Sequence, residues 1–371
     1  MQALAEADLI DDFASMSCKA YSYLERTQIL STPTSQACPA YAYEGAEMRA
    51  RFYRHVSEGG WPFSTAAHGW PISDCTAEGL KAVLLLRDQP CIKANCVRIT
   101  EERLHKALNV LLTLQNVDGG WATYENNRGY SWYEKLNPSE VFGDIMIDYS
   151  YVECSMASLS AVYAFHKAFP AHRTEEVARA IASGRGFMKS IQREDGSWYG
   201  SWGCCFTYGT WFGVEGLVLS GEPAHSDSLR RACTFLLSKQ NANGGWGEDF
   251  TSCYDKAYAK GGMERWGNGG SGVVNTAWAL LALMAADSPD SEAVARGVGY
   301  LLSEQLPNGD WKQEGIAGVF NRACGISYTQ YRNIFPMWAL ARYSRHYEPA
   351  HPSKPPRRRA SKSPRRRASA S

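Results

Sequence analysis

The sequence predicts an all-α fold, either an α-solenoid or a closed α/α barrel, from three observations. The first is a repeat in which an amphipathic helix is followed by Gln, three residues, Gly, one residue and Trp, here called the QW repeat. It occurs at 115–121, 192–198, 240–246 and 305–311, and a degraded copy runs from Gln28 to Gly60-Trp61. The second is a set of further apolar helices between the repeats, namely Tyr151–Ala168, Thr210–Leu219 and Val274–Ala286. The third is that no apolar alternation of period two is sustained, so repeated helix pairs define the fold class.

Each part of the QW repeat has a structural explanation. The Asp/Asn-Gly turn supplies a positive φ where the helix stops. The Gln can bond to the unpaired groups of the helix end, and the Trp can lie over the turn. We therefore predict structural roles for the Gln and Trp residues of the repeats.

Composition limits the classes of function. The 371 residues are 44% hydrophobic and include 12 Trp, 20 Tyr and 13 Phe, which predicts a large core or a large apolar pocket. The net charge of +1 hides an asymmetry, because the segment 353–371 carries eight Lys and Arg residues and no acid, leaving −7 for residues 1–352. An acidic body argues against a nucleic-acid-binding surface.

The cysteines and histidines predict neither a disulfide scaffold nor a zinc site. Eleven cysteines, without a CxxC pair and without a basic, apolar leader ahead of them, favour reduced intracellular thiols. The eight histidines are scattered. No run of about 18 apolar residues occurs, so no helix is expected to span a membrane, although a patch dipping into one membrane face would escape this test.

One acidic residue, Asp74, has two interpretations. It lies in Ser73-Asp74-Cys75, between an aromatic segment and the apolar run 80–86. A carboxyl group that loses water where a loop enters a buried helix has a raised pKa and can act as a general acid. Alternatively, Ser73 or Asp74 caps the helix, with Glu78 in its first turn.

Together, the QW repeats and Asp-Cys-Thr-Ala-Glu at 74–78 resemble the catalytic half of the oxidosqualene cyclases, the family of lanosterol and cycloartenol synthases. Further matching stretches are 136–144, 151–154, 206–211, 308–311 and 318–321. The resemblance implies an all-α (α/α) barrel of QW-repeat helix pairs over residues 1–348, incomplete at its N-terminus. It implies no cofactor and no metal. Residues 349–371, with Arg-Arg-Arg-Ala-Ser twice, are foreign to the family and predicted to be a disordered basic tail.

The resemblance also implies an intramolecular transferase, or isomerase, that cyclises 2,3-oxidosqualene. Asp74 would protonate the epoxide, and the thiols of Cys75 and Cys154 would hydrogen-bond that carboxyl group. Aromatic faces can stabilise the migrating cation without trapping it. The family's lining matches Phe63, Tyr124, Trp202, Phe320 and Tyr328, for each of which core packing is the alternative.

His68 and Ile72 look like the cycloartenol-forming branch, in which the His helps place the base that removes a methyl proton. Lanosterol or another triterpene is the alternative product. The implied setting is one face of the endoplasmic reticulum membrane, or the surface of a lipid droplet, with the membrane surface as a partner and no nucleic acid.

Two other classes of protein remain open. Family members are about twice as long, so a pocket wall is expected to be missing, and this chain alone is expected not to cyclise oxidosqualene. A truncated, inactive paralogue with a binding role is therefore one alternative. The other is a zinc-dependent protein prenyltransferase β subunit, which shares the α/α barrel.

Overall fold

The computed structural model describes residues 1–30, 55–65, 70–261 and 270–346, together with the single positions 47 and 51. Its first helices are α1 (Gln2–Glu6), α2 (Ala14–Thr27), α3 (Ser73–Leu86), α4 (Pro90–Asn95) and α5 (Glu101–Thr113). These are followed by a short 3-10 helix (Ser131–Leu136), α6 (Val152–Ala168), α7 (Thr174–Ser190), α8 (Phe206–Leu219) and α9 (Asp227–Ser238). The last are α10 (Thr251–Asp255), α11 (Val273–Ala285), α12 (Ser291–Ser303) and α13 (Tyr331–His346). The predicted tail, 349–371, lies outside the described residues.

The helices alternate between an inner and an outer layer. Helices α6, α8 and α11 are buried over most of their surface, as expected for helices that are apolar on all sides. Helices α5, α7, α9 and α12 bury one face only. The inner helices pack in chain order, α3 on α6, α6 on α8, α8 on α11 and α11 on α13. This arrangement confirms the predicted all-α, barrel-type fold.

The QW repeats form the turns between the layers. Gly119, Gly196, Gly244 and Gly309 all have φ between 83° and 90°, as the repeat predicts. Each repeat Gln donates through Nε2 to the carbonyl of its own turn glycine, at 2.8–2.9 Å. Each repeat Trp donates through Nε1 to a carbonyl near the end of the preceding helix, at 2.7–2.9 Å. Gln28 and Trp61 make the same bonds, to Gly59 and Leu24, so the degraded copy is structurally intact.

The indole rings of the repeats lie flat against glycines of neighbouring helices. A Cβ atom at Gly79 would lie 2.7 Å from the Trp61 ring, and one at Gly297 would lie 2.8 Å from the Trp246 ring. At Gly213, the Cβ would come within 2.7 Å of Cε2 of Trp198. These glycines are therefore needed for close packing rather than for backbone freedom.

A Gly213→Ala variant is expected to lose about 1–3 kcal/mol of unfolding free energy, because the added methyl group overlaps a fully buried Trp198. Gly186→Ala is the matched control: this helical glycine is exposed and has no atom within 4 Å of an added Cβ. The control should be neutral or stabilising by up to about 1 kcal/mol. Urea unfolding measures both, and equal stabilities of the two variants would contradict the packing argument.

Two inner helices are capped by carboxylates that come from later in the chain. Glu248, which follows α9, accepts hydrogen bonds from the backbone N–H groups of Phe206 and Thr207, both at 2.9 Å, at the start of α8. Glu314, which follows α12, accepts from the N–H of Val273, at 2.6 Å, at the start of α11. Negative charge at a helix N-terminus is favourable, and here it also satisfies buried donors.

A buried ion cluster joins α1, α8 and α13. The Arg342 guanidinium pairs with Glu6 at 2.9 Å and with Glu215, and it donates to the carbonyl of Leu281 at 3.0 Å. Arg342 and Glu215 are both buried. The cluster fixes the first helix against the last.

The described residues contain one departure from an all-helical chain, a small antiparallel hairpin. Strand β1 (Gly318–Phe320) pairs with β2 (Cys324–Ile326), with Val319 opposite Gly325. Three residues per strand are too few to give a readable alternation, so the sequence pattern did not predict it.

Candidate active site

The candidate acid lies at the start of the inner helix α3. This helix begins at Ser73, its N-cap position is Ile72, and that position makes no side-chain capping bond. Neither Ser73 nor Asp74 therefore occupies the N-cap position, although Asp74 accepts from a first-turn amide, the N–H of Cys75. The Ser73 hydroxyl instead donates to the carbonyl of Ala122, which leaves Asp74 in the first turn.

Burial raises the pKa of the Asp74 carboxyl group. The negative charge of Glu78 raises it further, whereas hydrogen bonds from the backbone N–H and the thiol of Cys75 oppose the rise. The N–H bond is short, 2.6 Å to Oδ1. Although Asp74 keeps part of its surface accessible, the protein around it excludes enough water for desolvation to dominate. Asp74 therefore stays protonated to a higher pH than an ordinary aspartic acid.

Both predicted thiols lie near this carboxyl group, but they differ in their hydrogen bonds. Cys75 bonds to Asp74 through its thiol, and burial together with the Asp74 charge raises its pKa. Cys154 is fully buried, and its pKa is raised by burial and then by the charge of Asp74. Its hydrogen bond, however, is to Ser73. The predicted bond from Cys154 to Asp74 is thus replaced by one to the adjacent hydroxyl.

Tyr124 borders the same region. Burial raises its pKa, with further contributions from Cys75 and Asp74, and its ring meets Trp70 edge to face at 6.5 Å. Asp148 holds its backbone by accepting from the Tyr124 N–H at 2.6 Å. A carboxylate that the sequence argument overlooked therefore places a predicted lining residue.

Glu153 is a second carboxylate that the sequence argument missed. Only 3% of it is exposed, and its Oε1 accepts from the N–H groups of Ser201 at 2.5 Å and Trp202 at 3.1 Å. Within the described part of the chain, its Oε2 is buried without a hydrogen-bond partner. Burial raises the pKa of Glu153 to about 7, and the charge of Asp74 adds to the effect. Glu153 fixes the backbone at Trp202, whose ring tilts against Tyr151 at 4.8 Å.

Glu153→Gln is expected to reduce the pH dependence of stability. The folded-state pKa of Glu153, about 7, lies above the ordinary 4.5, so its protonation favours the folded state. That contribution, on the order of 3 kcal/mol, is fully present below pH 4.5 and is lost as the pH rises through 7. Unfolding free energies measured from pH 4.5 to 8 should therefore fall less steeply in the variant. Glu78→Gln, at an exposed position of α3, is the control, and an unchanged slope in Glu153→Gln would contradict the prediction.

Tyr208 begins a series of aromatic contacts on α8, the helix that packs against α6. It is buried, and its pKa is raised by burial and by the charges of Glu153 and Asp74, among others. Its ring contacts Trp278 at 4.9 Å, and Trp278 contacts Tyr331 at 5.8 Å. Tyr331 stacks on the predicted lining residue Tyr328 at 4.6 Å. A series of ring contacts thus runs from Tyr208 to Tyr328.

The remaining predicted lining residues are not part of this series. Phe320, at the end of β1, is 43% exposed and contacts Phe142 at 5.9 Å. Phe63 is 71% exposed.

Of the two residues predicted to set the product, Ile72 is buried beside Asp74, and its N–H donates to the carbonyl of Trp61 at 3.1 Å. His68 lies outside the described residues.

Glu153 and Tyr208 were within stretches that the sequence argument had singled out, 151–154 and 206–211. A buried acid directly before a matching cysteine was the available signal for Glu153.

No cluster of His, Cys, Asp and Glu side chains in the described ranges has the arrangement of a metal site. None of the helices described is both long and apolar enough to cross a membrane.

Comparisons with known proteins identify the family of this chain. The family profile described as Squalene-hopene cyclase C-terminal domain matches residues 45–345. Among curated proteins, the chain is 53% identical over 348 residues to a cycloartenol synthase of Dictyostelium discoideum, covering 94% of this chain and 46% of that protein. It is 49% identical over 357 residues to the lanosterol synthase of Homo sapiens, covering 94% and 45%. The chain therefore spans about half the length of these curated relatives.

Solved structures support the fold at low sequence identity. An ent-copalyl diphosphate synthase from Streptomyces platensis aligns with a TM-score of 0.50 and 17% identity, over 80% of this chain and 46% of that one. A protein from Actinoplanes aligns with a TM-score of 0.51 and 16% identity, over 90% and 99%. The resemblance deduced from the QW repeats and the Asp-Cys-Thr-Ala-Glu motif is thereby confirmed: the chain belongs to the squalene-hopene cyclase C-terminal domain family.

Proposed function

We propose that this chain provides the acid-bearing part of an oxidosqualene cyclase, an isomerase that converts (S)-2,3-oxidosqualene into a tetracyclic alcohol. The observation that carries the proposal is the half-buried Asp74, with its raised pKa, in contact with Cys75 and close to Cys154. The names of the relatives, cycloartenol synthase and lanosterol synthase, support the same chemistry.

In the proposed reaction, protonated Asp74 donates its proton to the epoxide oxygen, and the C–O bond opens to give a carbocation. The carboxylate left behind is stabilised by the 2.6 Å bond from the Cys75 N–H, by the Cys75 thiol and by the N-terminus of α3. Burial keeps the carboxyl group protonated, and the donors already in place stabilise its anion once the proton has left, so Asp74 can act as a general acid.

The positive charge then moves along the polyene as rings close. Trp202 and Tyr124 are the proposed lining rings on the side of the acid, and Tyr328 lies at the end of the ring series described above. Each face can stabilise a cation by about 0.5–2 kcal/mol without acting as a nucleophile. Phe63 and Phe320 are proposed to line the same path, with much of each ring exposed on this chain.

The proposed product is cycloartenol, formed when the last cation loses a methyl proton and a cyclopropane closes. The proposal rests on His68 and on Ile72, which is buried next to Asp74. Lanosterol is the second candidate, since lanosterol synthases are among the relatives at 49% identity. Val at position 72 would favour lanosterol, because one methylene changes selectivity by about 1–3 kcal/mol.

A chimeric enzyme tests both activity and product. Residues 1–348 would replace the matching part of the Dictyostelium discoideum cycloartenol synthase, and a lysate containing the chimera would be incubated with (S)-2,3-oxidosqualene. Gas chromatography with mass spectrometry should detect cycloartenol. A folded chimera without any cyclised product would refute the activity, and lanosterol as the main product would refute only the assignment of the product.

We also propose that the protein associates with one face of the endoplasmic reticulum membrane, or with a lipid droplet, where its water-insoluble substrate dissolves. The exposed apolar side chains of the segment 130–142 support this, among them Tyr130, Trp132, Leu136 and Val141. The basic segment 353–371 would add attraction to anionic lipid.

Co-sedimentation with vesicles of neutral lipid plus about 20% phosphatidylserine tests the membrane proposal. Deletion of 353–371 should weaken binding at least about tenfold at low salt, since each basic residue near an anionic surface contributes about 1 kcal/mol. Vesicles of neutral lipid alone are the control and should show little difference between the two proteins. Equal binding of both proteins to anionic vesicles would contradict an electrostatic contribution from the basic segment.

A further inference from the structure

Three cysteine thiols meet where α2 packs against α4. Cys18 lies on α2, Cys91 lies in α4, and Cys96 follows the end of α4. The Cys18 thiol donates to the carbonyl of Cys91 at 3.5 Å, and the Cys96 thiol donates to the carbonyl of Cys18 at 3.8 Å. All three are half-buried, so they contact one another and still reach the surface.

The three differ in their hydrogen bonds. The hydroxyl of Ser22, one helical turn after Cys18, donates to the sulfur of Cys96 at 4.0 Å. The thiolate is the form of a cysteine that reacts. Burial, followed by the neighbouring thiols of Cys96 and Cys91, raises the pKa of Cys18 to about 11. Cys96 is thus suited to react first and Cys18 to react second.

A second group of thiols shows why accessibility matters. Cys253 is hydrogen-bonded to Cys204 and Cys205, and all three are fully buried. A reagent in solution cannot reach them without unfolding the chain. Within the residues described, neither group of cysteines has the arrangement of a metal site. We therefore interpret the half-buried group of Cys18, Cys91 and Cys96 as a site of thiol chemistry.

We propose that Cys18, Cys91 and Cys96 form a thiol-modification site, in which a low-molecular-weight disulfide of the glutathione class converts Cys18 and Cys96 into a disulfide bond. Nothing in the proposed cyclisation requires these residues. The site is separate from the acid, although α2 also packs against α3, which carries Asp74.

The chemistry proceeds in two exchange steps. The Cys96 thiolate attacks one sulfur of oxidised glutathione, the glutathione S–S bond breaks, and one glutathione leaves with the proton that Cys96 gave up. The Cys18 sulfur, after losing its proton, attacks the Cys96 sulfur, and the second glutathione leaves and takes up that proton. Two protein thiols are oxidised, one glutathione disulfide is reduced to two thiols, and no other oxidant is needed.

The expected consequence is a covalent link between helices that are far apart in the sequence. Cys18 and Cys96 are separated by 78 positions, and the intervening chain includes Trp61, Ile72 and Asp74. A bridge that closes so long a loop restricts the unfolded chain strongly. Oxidation would therefore hold α2 and α4 together beside the helix that carries the acid.

The test uses the full chain, purified under reducing conditions and then incubated with oxidised glutathione. After alkylation of the remaining thiols, mass spectrometry of peptides should show a Cys18–Cys96 link, and thiol titration should fall by two per chain. Reduced glutathione at the same concentration is the control for the wild-type protein, and it should reverse the link.

Three serine variants assign the partners. Cys91→Ser should still form the bridge. Cys18→Ser should stop at a glutathione adduct on Cys96, and Cys96→Ser should show neither adduct nor bridge at the wild-type rate. Retention of all thiols by the folded wild-type chain would overturn the proposal, as would a bridge at the wild-type rate in Cys96→Ser.

Discussion

An Asp74→Asn variant of the cycloartenol synthase chimera is expected to lose cyclisation by at least about 10³-fold. The amide has nearly the same shape but cannot give up a proton to the epoxide, and general acid catalysis typically contributes 10²–10⁴-fold. Asp74 keeps its place through the Cys75 N–H, a bond that the amide oxygen of Asn can also accept. Product formation by gas chromatography measures the effect.

Glu78→Gln is the control for this loss. Glu78 lies on the same helix, one turn later, but it is exposed and paired with Lys81 at 2.7 Å. Most of the activity should remain, with the fall in activity at high pH shifted slightly to lower pH, because the charge of Glu78 helps to raise the pKa of Asp74. Comparable activity in Asp74→Asn and Glu78→Gln would mean that the proton comes from another group.

Replacing Arg342 by Met is expected to cost about 3–5 kcal/mol of unfolding free energy. The substitution leaves Glu215 buried without its cationic partner, and an uncompensated buried charge is far more costly than the loss of an exposed pair. It also leaves the carbonyl of Leu281 without this donor. Urea unfolding of the full chain measures the change.

A double-mutant cycle separates the cost of leaving the Glu215 charge buried without a partner from the cost of lost packing. Adding Glu215→Leu to Arg342→Met should recover much of the stability, because both buried charges are then absent. The exposed pair Arg230 and Asp227 is the control, and Arg230→Met should change stability by less than about 1 kcal/mol. Additive losses in the Arg342 and Glu215 double variant would contradict the argument.

The fold was predictable because the repeat encodes it locally. The Gln and Trp of each repeat make one bond near their own turn, which the spacing predicts, although each Gln of the first three repeats also donates to a carbonyl of the next outer helix. The hairpin at 318–326 was missed because its strands are too short for a pattern to show. The inner layer includes the apolar helices that the sequence pattern placed between the repeats.

The candidate site was only partly predictable. Asp74 and Cys75 are neighbours in sequence, and their contact followed from the motif. Glu153 and Tyr208 come near the acid only through the packing of α6 against α3 and of α8 against α6, which no local pattern reports. The hydrogen bond of Cys154 to Ser73, rather than to Asp74, is likewise a result of tertiary geometry.

The caps that inner helices receive from later residues have a consequence for how the protein is made. Glu248 and Glu314 complete the starts of α8 and α11, yet each is synthesised well after the helix that needs it. While the chain is being synthesised, the N-terminal N–H groups of α8 and α11 therefore lack these acceptors until the following outer helix and its turn have left the ribosome. At these two helices, assembly is expected to lag translation by about one helix pair, and a pause just before Glu248 or Glu314 would prolong the exposure of their amide groups.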